Sequence, residues 1–500
     1  MADAANAAGA AEGADAAAPI EPRAASEVKA WDAEADVVIV GYGCAGASAA
    51  IAARQSDADV LIIERTGAGG GASSMAGGEI YMGGGTAIQK ACGFDDTPQA
   101  MFDFLMAATG PGPNEAKLSL YCDKSVEHFE WLVECGVVFK PTFYAAPCWE
   151  PPTDDGLVYT GGENAWPFSE IAPPAPRGHI PQMQNKRLME KSGGWMLMKH
   201  LSATAESAGA SVMTDARVGN LVVDGSGRVV GAIARRFGEE IAIRARRGVV
   251  LASGGFAANT EMVSRHAPGI AGQMVLGTDG DDGTSIRLGQ GLGAAVAHLE
   301  ASEAALPSVP SLVYPSILVN RYGQRFINED TYCGRIGQAA IFHQEARCSL
   351  VLDEEIFESV PEGDRWGARP TWVCATVEEL ETEMGLPSGS LQATVELYNR
   401  HATTGQDPVF HKRPEYLRPL KSPYGGVQLT GLPYAVFTLG GLVTTVNAEV
   451  VGPGGYPIPG LFAAGRSTSG IPSWGYASGT SLGDGTFFGR RAGWAAAADP

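Results

Sequence analysis

Apolar positions in this chain fall into short unbroken runs bounded by glycine, rather than alternating with polar ones. Asp36–Val40 (DVVIV) and Asp59–Ile63 (DVLII) are two such runs, as expected of strands buried on both faces of a parallel sheet. Between them a stretch of small residues predicts a helix reaching about Arg54. A second helix is predicted over residues 115–135, capped by Asn114 and ended by Gly136, and a third over Gly194–Ala208. From Ala210 to Phe256 the pattern changes to strands and hairpins, with turn signals at Asp224-Gly225 and Ser226-Gly227. GTDGDDGTSIRLGQGLGAAV begins another helix, and YPSILVN followed by RYGQ reads as a strand and turn within a mixed region from about His298 to Tyr434. Pro141–Pro181, rich in proline and aromatics, is too long for an ordinary connection. It reads as a lid or substrate-lining loop, or as plain surface packing.

Gly41, Gly43 and Gly46 follow the first apolar run in G-x-G-x-x-G spacing, and Glu64 ends the second run 23 residues after Gly41. Gly41 permits a tight turn, Gly43 lets a pyrophosphate approach the backbone, and Gly46 lets helix pack on strand. The helix N-terminus supplies positive potential for phosphates, and Glu64 can accept hydrogen bonds from a ribose. The next stretch, RTGAGGGASSMAGGEIYMGGG, is again glycine-rich and carries hydroxyls at Ser73 and Ser74. A flexible linker accounts for it. A segment that wraps a pyrophosphate and reaches a flavin accounts for it too, and favours FAD over NAD.

Composition narrows the classes. A chain of 500 residues with 45% hydrophobic and 18% charged residues is globular and long enough for two or three domains. Its 66 glycines suit tight turns and close backbone approaches to a ligand. The net charge, 36 − 56 = −20, argues against nucleic acid and anionic membrane as partners. No apolar run approaches the length of a membrane-spanning helix, so no transmembrane segment is expected. Residues 1–32 read as a disordered Ala/Gly-rich tail without the basic start and apolar core of a secretory signal. Eight scattered cysteines, none in a C-x-x-C pair, read as reduced, packed thiols of a cytoplasmic protein with no metal site.

Several motifs then agree in order: Gly41–Gly46 with Glu64, VVLASGGF, QRFINED, TLGGLVTTVNAEVV and PIPGLFAAG. Together they resemble the FAD-dependent fumarate reductase/succinate dehydrogenase flavoprotein family, which includes the 3-ketosteroid dehydrogenases. The resemblance runs from about Ala35 to Gly493. It implies an α/β fold with an α+β insert: a Rossmann-like FAD-binding domain from both chain ends (33–287 and 436–500), and an inserted substrate-binding, catalytic domain (288–435). It also implies cofactor contacts from Ala45, Arg65, Ala72, Gly77, Gly78, Val218 and Gly254. Ser481 and Leu482 would place amides near the flavin pyrimidine, and Gly465 would pack along the cofactor.

Dicarboxylate chemistry needs arginines and histidines to hold the substrate, yet none of the eight histidines stands in the glycine-rich segments. Arg335 and Arg466 are possible clamps, or ordinary ion-pair residues. The segment GYASGTSL offers Tyr476 and Ser478 instead, neutral groups suited to a ketone. A Tyr-x-Ser pair there is similar to the 3-ketosteroid Δ4-(5α)-dehydrogenases, in which a tyrosine of the substrate domain completes the site. Tyr332 is the first choice for that third residue, with Tyr314 and Tyr322 as fallbacks. The Tyr-Pro-Gly-Gly-like turn of the Δ1-dehydrogenases is absent. The resemblance thus implies a C4–C5 desaturation of a 3-keto-5α-steroid. Tyr476 would donate to the carbonyl, Ser478 would take the α-proton with help from Tyr332, and flavin N5 would take the hydride. An external electron acceptor or donor would serve as partner. The competing readings are a flavin-dependent reductase of an enone or unsaturated acid, and a flavin-binding protein without turnover.

Overall fold

The computed structural model describes residues 15–182 and 192–500. The two apolar runs form adjacent parallel strands, Ala33–Val40 and Val60–Ile63, in register from Val37 opposite Val60 to Val40 opposite Ile63. They lie within a nine-stranded sheet. The long strand Glu239–Leu251 changes partners along its length. Its first half pairs antiparallel with Val229–Arg236, and its second half runs parallel between Ala33–Val40 and Pro457–Ala463. Strand Pro457–Ala463 thus brings the C-terminal part of the chain into the N-terminal sheet.

Both sheet faces are covered, which is why the strands are apolar throughout. Val37, Ile39, Val60 and Ile62 point into one core, and Val38, Val40, Leu61 and Ile63 into another. The first core is roofed by the opening helix, Cys44–Gln55, and the closing helix, Thr480–Ala498. They cross closely because glycine meets alanine. A Cβ on Gly489 would collide with the Ala45 backbone, and one on Gly493 with that of Ala49.

A third core lies under the inserted segment. There the four-stranded sheet Ile317–Asn320, Cys348–Asp353, Tyr424–Gln428 and Trp372–Cys374 packs with the helix Cys333–His343. Phe256, Met262 and Ile286 join this cluster, so residues ahead of 288 share the packing of the insert. Among the described residues, no helix is long and apolar enough to cross a membrane.

Two expectations need correction, and the stretch Pro141–Pro181, which does place Trp149 and Glu150 on a cavity wall, gains detail. Within the tail expected over residues 1–32, the described residues 15–32 pack against the fold. Arg23–Ala24 adds a short strand beside Val222–Val223, Ala17 is buried, and Val28 and Trp31 cover Val222, Ile233 and Ala242. Isolated apolar anchors in an alanine-rich stretch carry no period, so composition hid them; residues 1–14 lie outside the described residues. The helix expected over 115–135 is two helices, Glu115–Asp123 and Ser125–Glu134, divided at Lys124. Ser125, at the start of the second, accepts the Gly83 N–H at 2.9 Å. Finally, Pro141–Pro181 holds three two-residue strands of a small sheet with Ile80–Tyr81. It is anchored by the fully buried ion pair of Arg177 with Asp96 at 2.7 Å. Strands that short are below the reach of a periodicity argument.

Candidate active site

A cavity of about 1350 Å³ runs from the glycine turn after Val40 to the junction with the inserted segment. Gly41, Gly43, Ala45, Glu64, Arg65, Ala72, Ser73, Ser74, Gly77, Val218, Gly254, Gly465, Ser481 and Leu482 all line it, together with Tyr332, Tyr476 and Ser478. Gly46 and Gly78 do not form its wall. Gly46 is pressed against the Gly41 carbonyl and Gly78 against the Gly193 backbone, so both act in packing.

At one end the wall is built for a dinucleotide. Gly41 has φ +102°, and a Cβ there would stand 2.6 Å from the Ala252 carbonyl oxygen. A Cβ on Gly43 would meet only the Ser73 hydroxyl at 3.3 Å and the Gly70 carbonyl at 4.0 Å, leaving space beside the helix start. No side chain caps the opening helix at Gly43, and its first amide, Cys44 N–H, donates to Ser73 Oγ at 3.1 Å. The positive end of a twelve-residue helix therefore faces the cavity. Glu64 is buried at the strand end, where Oε2 accepts the Tyr42 N–H (3.0 Å) and Oε1 the Thr66 N–H (2.9 Å). A Cβ-free cradle, a helix start whose N-cap is glycine and an acid at the next strand end fit FAD.

At the other end, Tyr332 stands at the N-terminus of Cys333–His343 and Tyr476 in the loop before the closing helix. Their ring centroids are 6.4 Å apart. Phe437 meets the Tyr476 ring edge-on at 5.1 Å and Trp149 meets Tyr332 at 6.0 Å, so the phenols sit in an apolar setting. The Tyr476 hydroxyl oxygen accepts the Ser481 N–H at 3.3 Å, from the first turn of the closing helix. Burial raises the pKa of Tyr476, and lifts Tyr332 well above the usual phenol range. Both remain O–H donors at neutral pH. Ser478 lines the cavity beside them, and its N–H donates to the Thr160 carbonyl at 3.1 Å.

The fallback tyrosines are elsewhere: Tyr314 packs edge-on to Tyr416 at 5.2 Å, and Tyr322 is exposed beside Arg321. Arg335 lies off the cavity wall and donates to the Ala108 carbonyl at 2.7 Å. Arg466 is on the wall, but holds Asp281 at 2.8 Å. The other lining arginines are also ion-paired: Arg65 and Arg217 with Asp282 at 3.1 and 2.8 Å, Arg365 with Glu358 at 3.1 Å, and Arg369 with Glu362 at 3.8 Å. Among the described residues, neither histidine nor lysine lines the cavity.

Two wall residues carry no sequence signal for their place. Asp281 accepts the Gly255 N–H at 3.1 Å as well as Arg466, fixing the glycine turn after Glu239–Leu251. Glu303, on the strand Ser302–Ala305, accepts the Tyr332 hydroxyl at 2.7 Å. The only hints were the acidic cluster in TDGDDG and a lone acid within the short stretch SEAALP.

The FAD binding domain family matches residues 36–482. A 3-oxo-5-alpha-steroid 4-dehydrogenase of Comamonas testosteroni is 28% identical, over 88% of this chain and 94% of its own. A fumarate reductase (cytochrome) of Shewanella frigidimarina is 27% identical, over 92% of this chain and 76% of its own. Among solved structures, the 3-ketosteroid-delta4-(5alpha)-dehydrogenase of Rhodococcus jostii RHA1, in complex with 4-androstene-3,17-dione, is 55% identical. It covers 96% of this chain and 100% of its own, with a TM-score of 0.93.

Proposed function

Since the chain belongs to the FAD binding domain family and is an FAD-dependent oxidoreductase, we propose that it desaturates the C4–C5 bond of 3-keto-5α-steroids. The observation that carries this reading is the wall lined by Tyr332, Tyr476 and Ser478: two phenols in an apolar setting and a serine hydroxyl on the same cavity, with each lining arginine paired to an acid. Such a wall suits a neutral ketone and not a dicarboxylate. The 55% identity to a protein whose crystal structure holds 4-androstene-3,17-dione supports the same substrate class.

Tyr476 donates to the C3 carbonyl and stabilises the enolate that develops there, as an oxyanion-hole donor does. The Ser481 N–H on its oxygen strengthens that donor. Ser478 receives the C4 proton. Serine alone is a poor base, so Tyr332 assists by passing the proton on. Bound FAD supplies the acceptor for the C5 hydride. Trp149 and Phe437 exclude water from the phenols, with the Trp149 indole N–H held by the Ser308 carbonyl at 3.0 Å. The electrons leave to a separate acceptor, and the protein works in the cytoplasm, in keeping with eight free cysteines.

Anaerobic mixing of the holoenzyme with a saturated 3-keto-5α-steroid is the test. The visible flavin absorbance should bleach, and the product should carry a C4–C5 double bond. An unchanged spectrum with ketosteroids, together with reoxidation of the reduced enzyme by fumarate, would overturn the reading.

A further inference from the structure

Glu303 is 1% exposed, on a strand in antiparallel register with Phe437. One carboxyl oxygen, Oε1, accepts the Tyr332 hydroxyl at 2.7 Å. The other, Oε2, is buried and in hydrogen-bond geometry with no partner among the described residues. The charged and titratable groups facing it are Tyr332 at the N-terminus of the helix Cys333–His343, Cys333 and Arg335 within that helix, and Tyr476 from the loop before the closing helix. Burial pushes the Glu303 carboxyl up to about 7, against the pull of the Tyr332 hydrogen bond, the Arg335 charge and the Ala304 amide.

Such a group is expensive as mere scaffolding. A buried carboxylate with one oxygen unmet loses far more solvation than a buried backbone carbonyl or amide would. The fold also makes room for it, because a Cβ on Gly334 would collide with Glu303 Oε1. Glu303, Tyr332 and Ser478 all line the one cavity, and the carboxyl holds the phenol hydroxyl directly at 2.7 Å.

We propose that Glu303 is the positioning residue of the proton relay: it fixes the Tyr332 hydroxyl and takes up the proton that Tyr332 passes on from Ser478. The proposal rests on the steroid-desaturation reading. The C4–H bond breaks, and its electron pair becomes the C4–C5 π bond as the hydride leaves C5. The proton goes to the Ser478 oxygen, the serine's own proton to the Tyr332 oxygen, and the phenol proton to the Glu303 carboxylate. Serine and tyrosine end unchanged, and one carboxylate has become a carboxylic acid. The relay needs Glu303 ionised, so the rate of desaturation rises with pH through about 7.

Glu303→Gln in the holoenzyme tests this, because the amide oxygen still accepts the Tyr332 hydroxyl but the side chain takes no proton. Flavin content and steroid Kd should stay at wild-type values, while the anaerobic rate of flavin reduction falls about 10²-fold, the lower range for general acid–base groups. The rising limb of the pH profile should vanish. Glu303→Asp should keep a limb but move its midpoint. Combining Glu303→Gln with Tyr332→Phe should cost no more than Tyr332→Phe alone, since both lie on one path. A wild-type rate and pH profile in Glu303→Gln, or losses that multiply in the double variant, would overturn the relay while leaving steroid oxidation intact. Should Glu303→Gln fail to hold flavin, an unmoved limb in Glu303→Asp overturns it instead. A wild-type enzyme that no ketosteroid reduces ends both the functional reading and the relay.

Discussion

Tyr332 and Tyr476 come from different parts of the chain, yet their rings stand 6.4 Å apart with planes tilted by 44°. Both are buried, and their hydroxyls point to different partners: Tyr332 donates to Glu303 at 2.7 Å, and Tyr476 accepts from Ser481 at 3.3 Å. Two phenols of one chemistry thereby sit in opposite hydrogen-bond roles, one donating and one accepting.

Under the proposed mechanism, Tyr476→Phe removes the carbonyl donor alone. Loss of a single oxyanion-hole donor costs about 10²–10³ in rate, so anaerobic flavin reduction by a saturated ketosteroid should slow by that factor. Bound flavin should remain stoichiometric, because the Phe ring still packs on Phe437. A variant reduced at the wild-type rate would remove Tyr476 from the chemistry.

Gly334→Ala separates the relay from the fold. The new methyl would displace the Glu303 carboxyl, the movable end of a side chain, and crowd the Tyr332 ring. We expect normal flavin content and a markedly lower kcat, with little change in KM. Steady-state kinetics at saturating electron acceptor give both numbers.

Gly41→Ala acts at the other end of the cavity. At φ +102°, and with 2.6 Å from the new Cβ to the Ala252 carbonyl, the turn cannot be kept without moving the strand beside it. Strain of about 1–3 kcal/mol for the dihedral, with overpacking added, should leave purified protein without yellow colour. Flavin released by acid and measured by fluorescence gives the occupancy.

His179 provides a pH test of stability. Burial depresses its pKa from 6.5 to about 4, so the folded state keeps it neutral where the unfolded chain binds a proton. Its contribution is complete above pH 6.5 and is lost as pH falls toward about 4. At ~1.4 kcal/mol per unit, that loss is about 3 kcal/mol. The gap in urea-unfolding free energy between wild type and His179→Gln should narrow by that amount across this window. A constant gap would show that His179 is protonated while folded.

The turn Gly41–Gly46 and the strands around it were legible because one local pattern, an apolar run followed by spaced glycines, fixes strand, turn and helix together. The Tyr476–Ser478 pair was legible through likeness to a known flavoprotein group, and both residues do reach the cavity wall. Glu303 was not, because a buried acid on a four-residue strand looks the same in sequence as an exposed one. Its place depends on the packing of Cys333–His343 against that strand, a contact between segments some thirty positions apart. Asp281 was hidden for the same reason: its partner Arg466 lies far along the chain. The expected tail failed in the opposite direction, since alanine-rich composition masked the few side chains that pin it to the sheet.

The close crossing of the opening and closing helices bears on how the protein is made. A ribosome delivers Gly41–Glu64 first, and the wall formed by Gly465, Ser481 and Leu482 follows about four hundred positions later. The strand Pro457–Ala463 and the helix Thr480–Ala498 must thread back to the first strand and first helix before the cavity is enclosed. Enclosing the cofactor therefore requires both segments, and a chain cut before residue 457 would hold half a nucleotide site with nothing to close it.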